Sequence, residues 1–77
     1  MKNSITKKQF EVLKPYEKYL EQAKNGYVTA LPFADARLLS LVYVDLGGKV
    51  ANLGCHNCVY RMVRALSEYY FTYKTKA

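Results

Sequence analysis

Apolar residues recur every three or four positions in two stretches of this chain, and each stretch predicts an amphipathic helix. In the first, the apolar positions are Phe10, Leu13, Tyr16, Leu20 and Ala23. Thr6 and Gln9 form a capping-box pattern before this stretch, and Asn25-Gly26 ends it. Because the apolar spacing continues across Pro15, we expect one helix that is kinked at the proline.

The second stretch begins near Cys58 and runs to the end of the chain. Its apolar positions are Val59, Met62, Val63, Leu66, Tyr69, Tyr70 and Tyr73. Arg61, Arg64 and Glu68 lie on the opposite side of the predicted helix. We expect the basic residues 72–77 to fray.

Between these stretches, residues 38–46 are apolar on almost every side. Pro32 and Asp35 are residue types typical of the first turn of a helix, and Gly47-Gly48 is typical of a helix end. The run Val42-Tyr43-Val44 would also suit a strand. We favour a helix because of these flanking signals. A helix that is apolar all round lies either centrally in a core or in an oligomer interface.

The chain of 77 residues is therefore predicted to be a single all-α domain, residues 1–77, made of three helices with the first kinked at Pro15. The predicted core residues are Phe10, Leu13, Leu20, Leu38, Leu41, Val42, Val59, Met62, Val63 and Leu66.

The net charge of +6 is unevenly distributed. Residues 1–26 and 49–77 are basic, whereas residues 27–48 carry only Arg37 against Asp35 and Asp45. This balance favours acidic partners, including nucleic acid. The polar start, Met1 to Lys8, predicts no secretory leader, and the longest apolar run is too short for a membrane span. We therefore expect no membrane insertion and a cytoplasmic location.

Cys55-His56-Asn57-Cys58 is the only motif with recognisable chemistry. Two copies of the chain could hold one zinc ion through Cys55 and Cys58, or the pair could be a redox dithiol near a helix start. A cysteine–histidine nucleophile is a third reading. We favour core or interface thiols, because Cys58 continues the apolar stripe of Met62 and Leu66. The prediction is thus no metal and no cofactor.

An enzyme is not expected. Gly47-Gly48 is not followed by a phosphate-loop pattern, and the six acidic residues are scattered. We therefore predict no small-molecule substrate.

Two binding functions are compatible with the sequence. The first is a protein-interaction or assembly module, which uses the aromatic residues Tyr43, Tyr69, Tyr70, Phe71 and Tyr73. Consecutive aromatic residues point in all directions around a helix, so we do not expect one small core to cover them. The alternative is a small basic DNA- or RNA-binding protein with a helix-turn-helix-like C-terminal half. The residues that would contact the nucleic acid are Asn57, Arg61, Arg64 and Lys74.

The pattern Cys55-x-x-Cys58-Val59-x-Arg61-Met62-x-x-x-Leu66 with Tyr69-Tyr70 resembles the ends of small proteins of tailed phages. This resemblance covers about a quarter of the chain. It implies a phage context, as a virion component or a host-directed binder, and carries no site residues.

Overall fold

The computed structural model describes residues 4–29, 31–50 and 52–76. Helix α1 spans Lys7–Leu13, a 3₁₀ turn spans Lys14–Tyr16, and α2 spans Glu17–Lys24. Helix α3 spans Phe33–Asp45, and α4 spans His56–Lys76. No strand occurs within the described ranges, so the all-α prediction is confirmed and the strand alternative for 42–44 is wrong.

The first helix starts as its sequence predicts. Thr6 Oγ1 accepts a hydrogen bond from the Gln9 amide at 3.2 Å, and Gln9 Oε1 accepts one from the Thr6 amide at 2.8 Å. The Gln9 side chain also donates to Asp45 at the end of α3. One side chain therefore caps α1 and connects it to another helix.

The irregularity expected at Pro15 is the 3₁₀ turn between α1 and α2. Proline has no amide hydrogen to donate, so the regular α-helical bonding cannot continue through it. Tyr16 in this turn donates its hydroxyl to Asp35 in the first turn of α3 at 3.0 Å.

Helix α3 ends at a glycine, as predicted. Gly47 has a φ of 96°, in the left-handed region that glycine adopts without strain. The Gly48 amide donates to the Tyr43 carbonyl at 3.0 Å. This bond satisfies one of the last carbonyl groups of the helix.

Helix α4 is the central element: α2 packs along it, and α1 and α3 also contact it. Seven predicted core residues are buried: Leu13, Leu20, Val42, Val59, Met62, Val63 and Leu66. Phe10 is half-buried against this core. Further buried residues are Ile5, Ala23, Val28, Ala36, Leu39, Leu46 and Tyr70.

Two core predictions were wrong, because Leu38 and Leu41 are exposed. They lie on the side of α3 that faces away from α4, while Leu39 and Val42 face inward. The spacing of apolar residues could not distinguish the two sides, since both are apolar.

The expected fraying of residues 72–77 was also wrong for the described part, because α4 continues to Lys76. Tyr73 packs on Phe10 with ring centroids 4.8 Å apart, and Lys74 forms an ion pair with Glu17. These contacts attach the last turns of α4 to the first helix.

Candidate functional site: an exposed apolar helix face and a dithiol

The outer face of α3 is an apolar surface that the rest of the chain does not cover. We define this face by its exposed apolar residues Phe33, Leu38, Leu41 and Val44 and its two charged residues Arg37 and Asp45. Phe33 is 65% exposed and Leu41 is 63% exposed. In contrast Leu39, two residues from Leu41, is completely buried. The same helix thus contributes one apolar side to the core and presents another to solvent.

The charges on the outer face of α3 are arranged symmetrically about Leu41. Arg37 lies four residues before it and Asp45 four residues after it, and both are exposed. Leu38 and Val44 lie three residues before and after it. The side-chain nitrogen Nε2 of Gln9 donates to one carboxylate oxygen of Asp45, which holds the Asp45 side chain in place.

The aromatic residues predicted as an interface lie elsewhere and largely contact one another. Tyr70 is 1% exposed and stacks on Phe10, with ring centroids 4.8 Å apart and an interplanar angle of 14°. Phe71 packs edge-on against Tyr70 at 5.1 Å, and the Lys24 ammonium lies 4.9 Å from the centre of its ring. Including Tyr70 in an interface was therefore wrong, because its own chain buries it.

The remaining predicted interface residues are half-buried. Tyr43, Tyr69, Phe71 and Tyr73 all pack against the core, so a partner would meet only part of each ring. The sequence shows that α3 is apolar on almost every side, but the predicted interface did not include the exposed residues of its outer face. The sequence feature that indicated an exposed apolar surface was the near absence of polar residues in α3. The apolar spacing alone did not identify which leucines face solvent.

Two of the four predicted nucleic-acid contacts are engaged within the chain. A guanidinium nitrogen of Arg64 donates to the Ala23 carbonyl near the end of α2 at 3.2 Å. Lys74 is paired with Glu17. Asn57 and Arg61 lie exposed in the first two turns of α4.

Cys55 and Cys58 lie together at the start of α4, and we refer to them as the dithiol site. Their sulfur atoms are 2.7 Å apart, and the Cys58 amide donates to Cys55 Sγ at 3.3 Å. Both residues are half-exposed, so they are not fully buried core thiols, and their predicted alternative role as interface thiols stays a prediction. His56, between them, is exposed.

The two thiols have unequal acidity. The hydrogen bond from the Cys58 thiol, and then that from the Cys58 amide, lower the pKa of Cys55. The same thiol contact raises the pKa of Cys58. The positive charge of nearby Arg61 is a smaller effect that favours both thiolates, and the pKa of Cys58 is still raised overall. Among the described residues, no three His, Cys, Asp or Glu side chains are grouped to hold a metal ion within one chain.

No family model, curated protein or solved structure matches this chain. The resemblance to phage proteins thus stays a prediction. None of the described helices has both the length and the apolar character needed to cross a bilayer.

Proposed function

We propose that this protein is a non-catalytic assembly module, whose outer face of α3 binds a second copy of the same chain. The observation that carries this proposal is the exposure of Leu41 and its neighbours on a helix that already fills the core with its other side. Contiguous exposed apolar surface on a small domain is typical of an interaction site.

The charges on this face favour a second copy as the partner. In a twofold symmetric interface, residue i of one copy contacts residue j of the other, and j contacts i. If two α3 helices cross antiparallel at Leu41, Arg37 of each copy lies opposite Asp45 of the other. Leu38 likewise lies opposite Val44, so apolar residues meet apolar residues.

The same charges oppose the parallel arrangement. Parallel helices related by a twofold axis would place Arg37 against Arg37 and Asp45 against Asp45. Like charges in contact disfavour an interface, whereas opposite charges fix its register. The face is thus complementary to itself in one orientation only.

The distribution of net charge supports the same surface. Of the net charge of +6, residues 1–26 carry +3 and residues 49–77 carry +4, while residues 27–48 carry −1. Residues 27–48, which contain α3, carry one arginine and two aspartates. Two copies that approach through α3 therefore bring their least basic segments together, which lowers the electrostatic repulsion between them.

Nucleic-acid binding is the alternative function, and it has less support. Of the four predicted nucleic-acid contacts, Arg64 and Lys74 already bind groups within the chain. The other two, Asn57 and Arg61, are few for binding a phosphate backbone. The phage context suggested by the sequence is compatible with either function.

Charge reversal tests the proposed dimer and its orientation. Arg37→Asp leaves acidic residues on both sides of Leu41, and Asp45→Arg leaves basic residues on both sides. Each variant alone should be monomeric at concentrations where the wild type is dimeric. An equimolar mixture should form a heterodimer, because each variant supplies the charges that the other lacks. Sedimentation velocity measures all three samples.

The matched control is Arg61→Asp, which makes the same charge change on α4, away from the outer face of α3. This variant should remain dimeric. Circular dichroism checks that Asp45→Arg still folds, since Asp45 also accepts from Gln9. A monomeric wild type would contradict the proposal, as would single variants that dimerise normally. A mixture that stays monomeric would refute the antiparallel register.

A further inference from the structure

The dithiol site has the arrangement that thiol–disulfide exchange requires. Both thiols are half-exposed, and their sulfur atoms are 2.7 Å apart. A disulfide places two sulfurs about 2.05 Å apart. Disulfide formation therefore requires the two sulfur atoms to approach by about a further 0.65 Å.

The surroundings give the two cysteines different roles. Cys55 directly precedes the 21-residue α4, and its sulfur accepts hydrogen bonds from both the amide and the thiol of Cys58. Negative charge at a helix start is stabilised by the helix dipole, and Arg61 adds a nearby positive charge. Cys55 is therefore the better nucleophile, while Cys58 retains its proton until Cys55 has reacted.

We propose that Cys55 and Cys58 form a redox-active pair that exchanges reversibly with small-molecule disulfides of the glutathione class. The Cys55 thiolate attacks one sulfur of the disulfide, and a mixed disulfide forms as the first thiolate leaves. Cys58 then loses its proton to that thiolate and attacks Cys55 Sγ, which releases the second thiolate. A solvent proton neutralises this product, so the protein loses two hydrogens and one disulfide becomes two thiols.

This function does not require a thioredoxin-like fold. In such folds the Cys-x-x-Cys segment follows a strand, whereas here a loop that ends at Gly54 leads into α4. The chemistry depends on the local arrangement of thiols, helix start and positive charge, and such sites occur on unrelated folds.

This inference goes beyond self-association and can fail independently of it. The cysteines lie outside the set of residues that form the outer face of α3, so charge reversal at Arg37 should leave their chemistry unchanged. Conversely, replacing either cysteine should leave the dimer unchanged.

Two measurements test the dithiol on the full chain. In the first, reduced protein is equilibrated with defined ratios of reduced and oxidised glutathione. The reaction is quenched with acid, and the mass of the intact protein is measured by mass spectrometry. The wild type should form an intramolecular disulfide, detected as the loss of two hydrogens. Cys58→Ser should stop at a mixed disulfide with glutathione on Cys55, because the second thiol is missing.

In the second measurement, iodoacetamide alkylates the single-cysteine variants at neutral pH. Cys55 in Cys58→Ser should react faster than Cys58 in Cys55→Ser, because Cys55 keeps its place before α4 and the hydrogen bond from the amide of residue 58. Circular dichroism should show that both variants are folded, since both positions are half-exposed.

Three results would overturn the proposal. One is a wild type that stays fully reduced in oxidised glutathione, and another is a wild type that stops at the mixed disulfide. The third is equal alkylation of the two variants. Native mass spectrometry with added zinc provides a further check. A dimer that gains one zinc ion and protects all four thiols from oxidised glutathione would make the pair a structural metal site instead.

Discussion

Replacing Leu41 with alanine should weaken self-association while leaving the monomer intact. Leu41 is 63% exposed, so its side chain contributes little to the core. Alanine is also a slightly better helix former than leucine. Only the third of the side chain that is already buried would be lost, so we expect the free energy of unfolding of the monomer to fall by no more than about 1 kcal/mol.

The expected loss in association follows from the area that a dimer would bury. Complete burial of a leucine side chain stabilises by about 1.5–3 kcal/mol. Because Leu41 is 63% exposed in the monomer, each copy would gain roughly two thirds of this, or about 1–2 kcal/mol. Two copies meet at the proposed axis, so the dimer should lose about 2–4 kcal/mol, which raises the Kd about 30- to 700-fold.

Sedimentation velocity over a dilution series measures this change, and thermal unfolding at low concentration measures the monomer. Leu39→Ala is the matched control, since Leu39 is completely buried in the same helix. That variant should lose about 2–5 kcal/mol of monomer stability. Unchanged association of Leu41→Ala would refute the proposed interface. Destabilisation of its monomer similar to that of Leu39→Ala would refute the orientation of α3.

Three further changes test how the fold is held together. Gln9→Ala removes the reciprocal capping bond and the bond to α3, so chemical denaturation should show a loss of about 1–3 kcal/mol. Gly48→Ala would place a methyl carbon 2.5 Å from the Tyr43 ring, so its melting temperature should fall, and a second change, Tyr43→Ala, should recover part of the loss. The hydrogen bond from Lys74 lowers the pKa of Glu17, so the stability from this pair is present above the ordinary glutamate pKa of about 4.3 and lost as pH falls through the lower folded-state value. Lys74→Met should flatten that part of the stability–pH curve, and an unchanged curve would contradict the pairing.

Local signals in the sequence predicted the helices well because each signal acts within a few residues. The Thr6–Gln9 capping box, the turn at Pro15 and the glycine end at Gly47 all depend on neighbouring backbone groups. The orientation of α3 depends instead on which side meets α4, a contact between residues far apart in sequence. The spacing of apolar residues treats Leu39 and Leu41 alike, and only Arg37 and Asp45, four residues either side of Leu41, mark its side as the outer one.

The aromatic cluster illustrates the same limit. Three consecutive aromatic residues, Tyr69, Tyr70 and Phe71, were expected to exceed what one core can cover. Phe10 and the side chain of Lys24 cover part of this surface, because α1 and α2 run beside the C-terminal half of α4. Sequence spacing could not show this pairing, which joins the two ends of the chain.

The contrast between the outward sides of the helices is the main argument for a function at α3. Every helix in a small bundle has one side that faces solvent, and its composition is not constrained by the core. On α2 that side carries Lys18 and Glu21, and on α4 it carries Arg61 and Glu68. Helix α3 alone presents leucine and valine there, with one charge of each sign at equal distances from Leu41. Packing within the chain uses only Asp45 of this set, which accepts from Gln9. Antiparallel contact with a second copy would use both charges and the apolar residues between them.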